Sequence, residues 1–135
     1  MDWVIDCSSA ALFLPDESSP KLRSFISDLS ENFSLWIPAL WWYEMINVLT
    51  GAERRKRIHH AKVLKVISLF DQLDLKADNS SGAQFSHRIY ELARMYQLSA
   101  YDATYLELSI RKEAGLVSID SQLVNAAREA GVTTI

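Results

Sequence analysis

The stretch Ser99-Ala100-Tyr101-Asp102-Ala103-Thr104-Tyr105-Leu106-Glu107-Leu108-Ser109-Ile110-Arg111-Lys112-Glu113-Ala114-Gly115-Leu116-Val117-Ser118-Ile119-Asp120-Ser121 decides the fold class. Ser99 and Asp102 fit the Ser-x-x-acid capping box, so a helix is expected over residues 99–113, ending at Gly115. Leu116-Val117-Ser118-Ile119 then reads as a short buried strand. Asp120 closes that strand, and residues 121–130 read as a second helix ending at Gly131. Residues 132–135 are expected to form a last strand. Helix, strand and helix in direct succession are the parts of a βαβ crossover, the unit of a parallel sheet.

The same alternation extends back to the start of the chain. Residues 3–6 read as a buried strand and residues 8–14 as a short helix stopped by Pro15. Ser19-Pro20 opens another helix, with serine as N-cap and proline at the first helical position. Its apolar residues Leu22, Phe25, Ile26 and Leu29 keep helical spacing. Residues 35–37 form a strand ended by Pro38, and a helix over 39–50 is expected to break at Gly51. Residues 58–73 carry Val63, Val66, Ile67 and Phe70 on one helical face. Residues 74–77 are a brief strand and 83–96 a helix. The order predicts an α/β fold with a mostly parallel sheet and helices on both faces.

Bulk properties narrow the function. The chain has 135 residues, 49% of them apolar and 23% charged, the balance of one ordinary soluble domain spanning 1–135. Its net charge of −3 gives no overall attraction for nucleic acid, so such contact requires a local basic patch or bound cations. Cys7 is the only cysteine, which excludes an internal disulfide framework and suits a reducing, cytoplasmic setting. Met1-Asp2-Trp3 lacks the basic start of a signal peptide, and no apolar run approaches a membrane span.

Four acids stand where carboxylates are awkward for folding. Asp6 ends the run Trp3-Val4-Ile5, Asp120 follows Leu116 to Ile119, and Asp102 lies in the first turn of its helix. Glu44 interrupts Ala39-Leu40-Trp41-Trp42-Tyr43 and Met45-Ile46-Asn47-Val48-Leu49. Strand ends and helix starts are where open parallel sheets gather ligand groups. Convergence of the four would create strong like-charge repulsion unless a cation joined them. Hard oxygen donors suit Mg²⁺ or Mn²⁺, and such ions promote phosphodiester hydrolysis without a side-chain nucleophile. Each acid also has a purely structural explanation. Asp6 and Asp120 are suitable N-caps, Asp102 completes a capping box, and Glu44 fits a solvated polar stripe with Leu40 and Asn47. Their conjunction favours the metal reading.

At these residues the chain resembles the PIN-domain nucleases, and within them the VapC-type toxins of toxin–antitoxin modules. The matching stretches are Val4-Ile5-Asp6-Cys7-Ser8, Pro38-Ala39-Leu40 leading to Glu44-Met45-Ile46-Asn47-Val48-Leu49, Leu98 through Leu108, and Leu116 through Leu123. Leu98-Ser99-Ala100-Tyr101-Asp102-Ala103 is the most specific of them. The resemblance implies a three-layer α/β/α sandwich and a Mg²⁺- or Mn²⁺-dependent endoribonuclease, the toxin of a type II pair. It implies an acidic metal pocket of Asp6, Glu44, Asp102 and Asp120, supported by Ser8, Asn47 and Ser118. Ser118 departs from the threonine common at that position. A homodimer, a cognate antitoxin and an RNA substrate are likewise implied.

Other features have simpler explanations. Arg54-Arg55-Lys56-Arg57 with His59-His60 is the one concentrated basic tract, read as a solvated helix connection with RNA phosphate contact as the functional alternative. Adjacent His59 and His60 point apart on a helix, which disfavours zinc. At least one of Trp41 and Trp42 is expected in the core, with base stacking or a partner interface as alternatives. Cys7 is expected to act as a small buried apolar residue. Competing functions are a catalytically silent RNA- or protein-binding module and a DNA nuclease of the same metal chemistry. Aspartyl phosphotransferases are disfavoured because Ser8 stands where they carry a second acid. No Gly-x-Gly-x-x-Gly turn supports dinucleotide binding.

Overall fold

Trp3, Val4 and Ile5 are all buried, as befits a strand covered on both faces, and they form β1 (Trp3–Ile5). In the computed structural model, residues 1–8, 24, 28, 32–80 and 82–135 are described. The expected helix over 8–14, past Ser8, and the one opened by Ser19-Pro20 fall outside the continuous described segments. Downstream lie β2 (Leu35–Pro38), α1 (Leu40–Arg54), α2 (His60–Gln72), β3 (Leu75–Asp78), α3 (Ser86–Tyr96), α4 (Ala100–Lys112), β4 (Gly115–Val117) and α5 (Ser121–Glu129).

The four strands form one parallel sheet in the order β3-β2-β1-β4. Helices cover it in a three-layer α/β/α arrangement, with α4 packed against β1, β2 and β4. All strands point one way, so Asp6, Pro38 and Ser118 come together at the carboxyl edge of the sheet. α1 turns Trp41, Met45, Leu49 and Ala52 into the core, the spacing of a single helical face. Trp41 is fully buried, edge-on to Trp42 and Phe70 with ring centroids 4.9 Å apart in each pair. Trp42 is only half-buried.

Three boundaries differ from the sequence expectation. Gly51 does not break α1, which continues to Arg54. The burial of Ala52 offsets the helix cost of one glycine, about 1 kcal/mol. The chain turns instead at Lys56, whose φ is 59°. Residues 82–85 wind as a tighter 3-10 turn before α3 begins at Ser86. The expected strand over 132–135 is reduced to one parallel bridge between Thr134 and Leu116.

Two contacts lock the sheet, one between its strands and one to a helix. Trp3 pairs with Gly115, and a Cβ on Gly115 would stand 2.4 Å from the Trp3 ring, so only glycine fits beneath it. At the end of β3, the Asp78 carboxylate takes Arg111 Nη2 at 2.7 Å and Nη1 at 3.2 Å. Arg111 Nε also reaches Glu107 at 2.7 Å, and the guanidinium lies 4.0 Å from the Phe85 ring centroid. Burial works to raise the Asp78 pKa, but the hydrogen bonds and charge of Arg111 prevail and hold it below its ordinary value.

Gly115→Ala is expected to cost about 1–3 kcal/mol in urea denaturation through overpacking against Trp3; an unchanged midpoint would contradict this packing. Asp78 supplies a pH test. A depressed carboxyl pKa contributes stability that is present above the unfolded value, near 3.9, and is lost as pH falls through the lower folded value. The stability deficit of Asp78→Asn should therefore be full at neutral pH and shrink below about pH 4. A deficit independent of pH would show that the ion pair is not its source.

Candidate active site

The site is built on the end of β1. Asp6 follows Ile5 directly and is 4% exposed. The hydroxyl of Ser8 donates to its Oδ1, the Ser118 hydroxyl donates to Oδ2, and the Ser8 backbone N–H adds a bond to Oδ1 at 3.1 Å. The same hydroxyls accept from the next turn: Ser8 Oγ takes Ile119 N–H and Ser118 Oγ takes Asp120 N–H, each at 3.0 Å. Trp41 Nε1 donates to the Asp6 carbonyl at 3.0 Å, fixing α1 to the strand end.

The other three acids enter from helices. Glu44 sits on the second turn of α1, half-buried, and accepts the Tyr105 hydroxyl at 2.6 Å. Asp102 lies in the first turn of α4, where its N–H bonds Ser99 Oγ at 3.1 Å. Its carboxylate returns no bond to Ser99 among the described residues, so the capping box is half made and the acid group is left to the site. Asp120 caps α5 through Oδ1, which takes Gln122 N–H at 2.9 Å and Leu123 N–H at 3.2 Å. Its structural explanation is therefore correct, yet the cap occupies one carboxylate oxygen only.

Electrostatics shows that these acids sense one another. Burial pushes the Asp6 pKa up to about 6; the two serine hydroxyls oppose this, and the charge of Asp102 adds to it. Asp102 is raised by burial, then by Asp120 and Glu44. The Cys7 thiol, half-buried between Asp6 and Ser8, is pushed up to about 12 by burial and by Glu44, Asp6 and Asp102. A thiol so raised stays protonated at neutral pH. No Lys, Arg or His forms an ion pair with any of the four acids among the described residues.

The donor set fits a hard divalent cation, since it offers carboxylate oxygens with no resident counter-charge. Among the described residues no three His, Cys, Asp or Glu side chains are placed to hold one ion as they stand. Mg²⁺ keeps much of its water shell and binds through one or two carboxylates, so the open arrangement is compatible with it.

Of the supporting residues named from sequence, Ser8 and Ser118 both touch Asp6, whereas Asn47 is exposed on α1, one turn beyond Glu44. Sequence reading gave no role to Tyr105 or to the Trp41 indole N–H. Tyr105 stands three residues after Asp102, on the helical face next to it, which is a usable signal once Asp102 is suspected. Burial and the Glu44 contact raise the Tyr105 hydroxyl pKa, so it stays a hydrogen-bond donor.

A parallel α/β/α sheet with carboxylates gathered at its carboxyl edge defines a class of proteins whose ligand site lies beyond the strand ends. Within that class the PIN domain model matches residues 5–129, and the chain belongs to the PIN domain family. It is 27% identical over 124 residues to Ribonuclease VapC3 of Pyrobaculum aerophilum, covering 91% of this chain and 92% of that one. The solved structure of PAE2754 from the same organism matches with a TM-score of 0.68 at 22% identity, over 99% of this chain and 90% of that chain. VapBC2 of Rickettsia felis, solved with a DNA fragment from its promoter, matches with a TM-score of 0.68 at 11% identity, over 100% and 98%. The two structural likenesses concern the fold.

The Tyr105–Glu44 bond is open to a double-mutant cycle in stability. Tyr105→Phe and Glu44→Gln should couple by on the order of 1 kcal/mol. Strictly additive costs would mean that the two side chains do not meet in solution.

Proposed function

We propose that this chain is a Mg²⁺- or Mn²⁺-dependent endoribonuclease that hydrolyses RNA phosphodiester bonds as the toxin of a type II toxin–antitoxin pair. The observation that carries the reading is Asp102 bearing the charges of Asp120 and Glu44 and itself acting on buried Asp6 near the carboxyl edge of the sheet, with no cationic side chain among the described residues paired to them. The PIN family match and the resemblance to a relative named Ribonuclease VapC3 support it.

Asp6, Glu44, Asp102 and Asp120 are the proposed ligands. When bound, a divalent cation would neutralise the phosphodiester and lower the pKa of a coordinated water. The chain's own contribution is orientation. Ser8 and Ser118 hold both oxygens of Asp6, Tyr105 holds Glu44, and the α5 cap fixes Asp120 while leaving its second oxygen outside the cap. Asn47, exposed on α1 beyond Glu44, is the proposed supporting residue at the rim. RNA is the proposed substrate, consistent with the relative's name, and an antitoxin is the proposed partner, consistent with the VapBC2 match. A homodimer is proposed as the working form, in keeping with the exposed aromatic side chains of Tyr90 and Tyr101. No described helix is long and apolar enough to cross a membrane.

Antitoxin-free protein should cleave RNA with Mg²⁺ or Mn²⁺ and lose that cleavage in EDTA. Asp102→Asn should abolish it with the fold retained, and Ser118→Ala should lower it by about 10- to 100-fold, the usual cost of a group that orients a metal ligand. Undiminished cleavage by folded Asp102→Asn would overturn the proposal. Preference for single-stranded DNA would favour the DNA-nuclease alternative. Tight RNA binding without metal-dependent cleavage would favour a silent binding module.

A further inference from the structure

α1 carries a second chemical group on the Glu44 face. At 3.6 residues per turn, Gly51 and Arg55, seven and eleven residues after Glu44, lie within about 20° of it around the helix axis. Half-buried Val48, one turn after Glu44 and about 40° around from it, lies at the margin of the buried face. Arg55 ends the helix, its N–H bonded to the Gly51 carbonyl at 3.1 Å. Its side chain folds back along α1 toward Glu44. Nη1 and Nη2 stand 3.4 and 3.6 Å from the position that a Gly51 Cβ would take. The guanidinium therefore lies level with Gly51, about 10 Å along the axis from Glu44.

This cation serves no internal charge. No carboxylate pairs with Arg55 among the described residues, in contrast to Arg111, which is held by Asp78 and Glu107. Its neighbours differ in placement. Arg54 leaves α1 about 80° around from Glu44, Lys56 lies in the turn that follows, and Arg57 already interacts within the chain. Gly51 is also unusual as a glycine inside a helix, a position that ordinarily costs stability. Its bare face is where the guanidinium rests.

The geometry points to Arg55 as a phosphate-binding subsite for the RNA strand, engaging a phosphodiester beyond the scissile one, with Gly51 as the positioning residue that keeps the guanidinium on the Glu44 face. A guanidinium suits this role because its planar fork matches two phosphate oxygens. The strand meets an anionic site in a chain of net charge −3, so a cation fixed along its path favours binding where the overall field does not. The inference deepens the ribonuclease reading above and rests on it.

The test measures affinity for a labelled single-stranded RNA across a salt series, by fluorescence anisotropy, with Mg²⁺ held constant. Each protein carries Asp102→Asn to suppress cleavage. Arg55→Gln should weaken binding and make the plot of log affinity against log salt shallower by about 0.7, the value of one phosphate contact on a single strand. Gly51→Glu, which places a carboxylate against Arg55 and keeps the helix, should act in the same direction. Lys65→Gln removes an exposed charge from α2 and should bind as the parent does. In the cleavage-competent chain, the effect of Arg55→Gln should fall on KM rather than kcat. Slopes for Arg55→Gln and Gly51→Glu equal to that of Lys65→Gln would overturn the proposal. The ribonuclease reading is judged separately, by cleavage with the unmodified chain; a reduced slope beside absent cleavage would retain the subsite and remove the nuclease.

Discussion

A carboxylate buried at the end of the inner strand β1 is the constraint on which this structure depends. Asp6 cannot leave its position, because β1 is paired on both sides and Trp41 holds its carbonyl. It cannot be solvated there either, so burial raises its pKa to about 6. The two serine hydroxyls provide what stabilisation is available from neutral donors. They also bind the backbone after β4, so the group that tolerates the charge is the group that shapes the strand end. A buried carboxylate with only neutral partners is a weak choice for stability and a good one for receiving a cation.

The remaining acids follow the same pattern of double service. Asp120 caps α5 and still offers an oxygen, and Asp102 opens α4 while Ser99 alone performs the cap. Glu44 is held by a tyrosine from a different helix. Each acid sits on or directly beside a strand or helix; Asp6, Glu44 and Asp120 are oriented by hydrogen bonds that the fold already makes, and Asp102 by the helix start alone. Preorganisation of this kind keeps ligand groups near their working positions despite mutual repulsion. Arg111 shows the contrasting use of charge, since its guanidinium is shared by two carboxylates, Asp78 and Glu107, and joins β3 to α4.

The alternation of apolar strands and capped helices was legible because period and punctuation agreed along most of the chain. The parallel sheet, the Ser99 cap and the Asp120 cap all follow from residue types at fixed spacing. Gly51 was misread because helix propensity is a local quantity, and the burial of Ala52 beneath the helix is not. The terminal strand was overstated because Val132 to Ile135 looks like a strand, but its pairing with β4 is a single bridge at Thr134. The four acids were visible as exceptions to apolar patterning. Tyr105 and the Trp41 N–H were not, since their roles arise from contacts across 61 and 35 residues of sequence. Arg55 was legible as a charge and illegible as a position, because only the fold shows it lying back over Gly51.

The central claim is that these carboxylates form a cation site, and calorimetric titration with Mn²⁺ tests it most directly. The unmodified, antitoxin-free protein should bind Mn²⁺ with a measurable heat at neutral pH. Asp6→Asn, verified as folded by circular dichroism, should show little or none. Equal Mn²⁺ affinity in the two proteins would contradict the account, since the ion would then be held elsewhere.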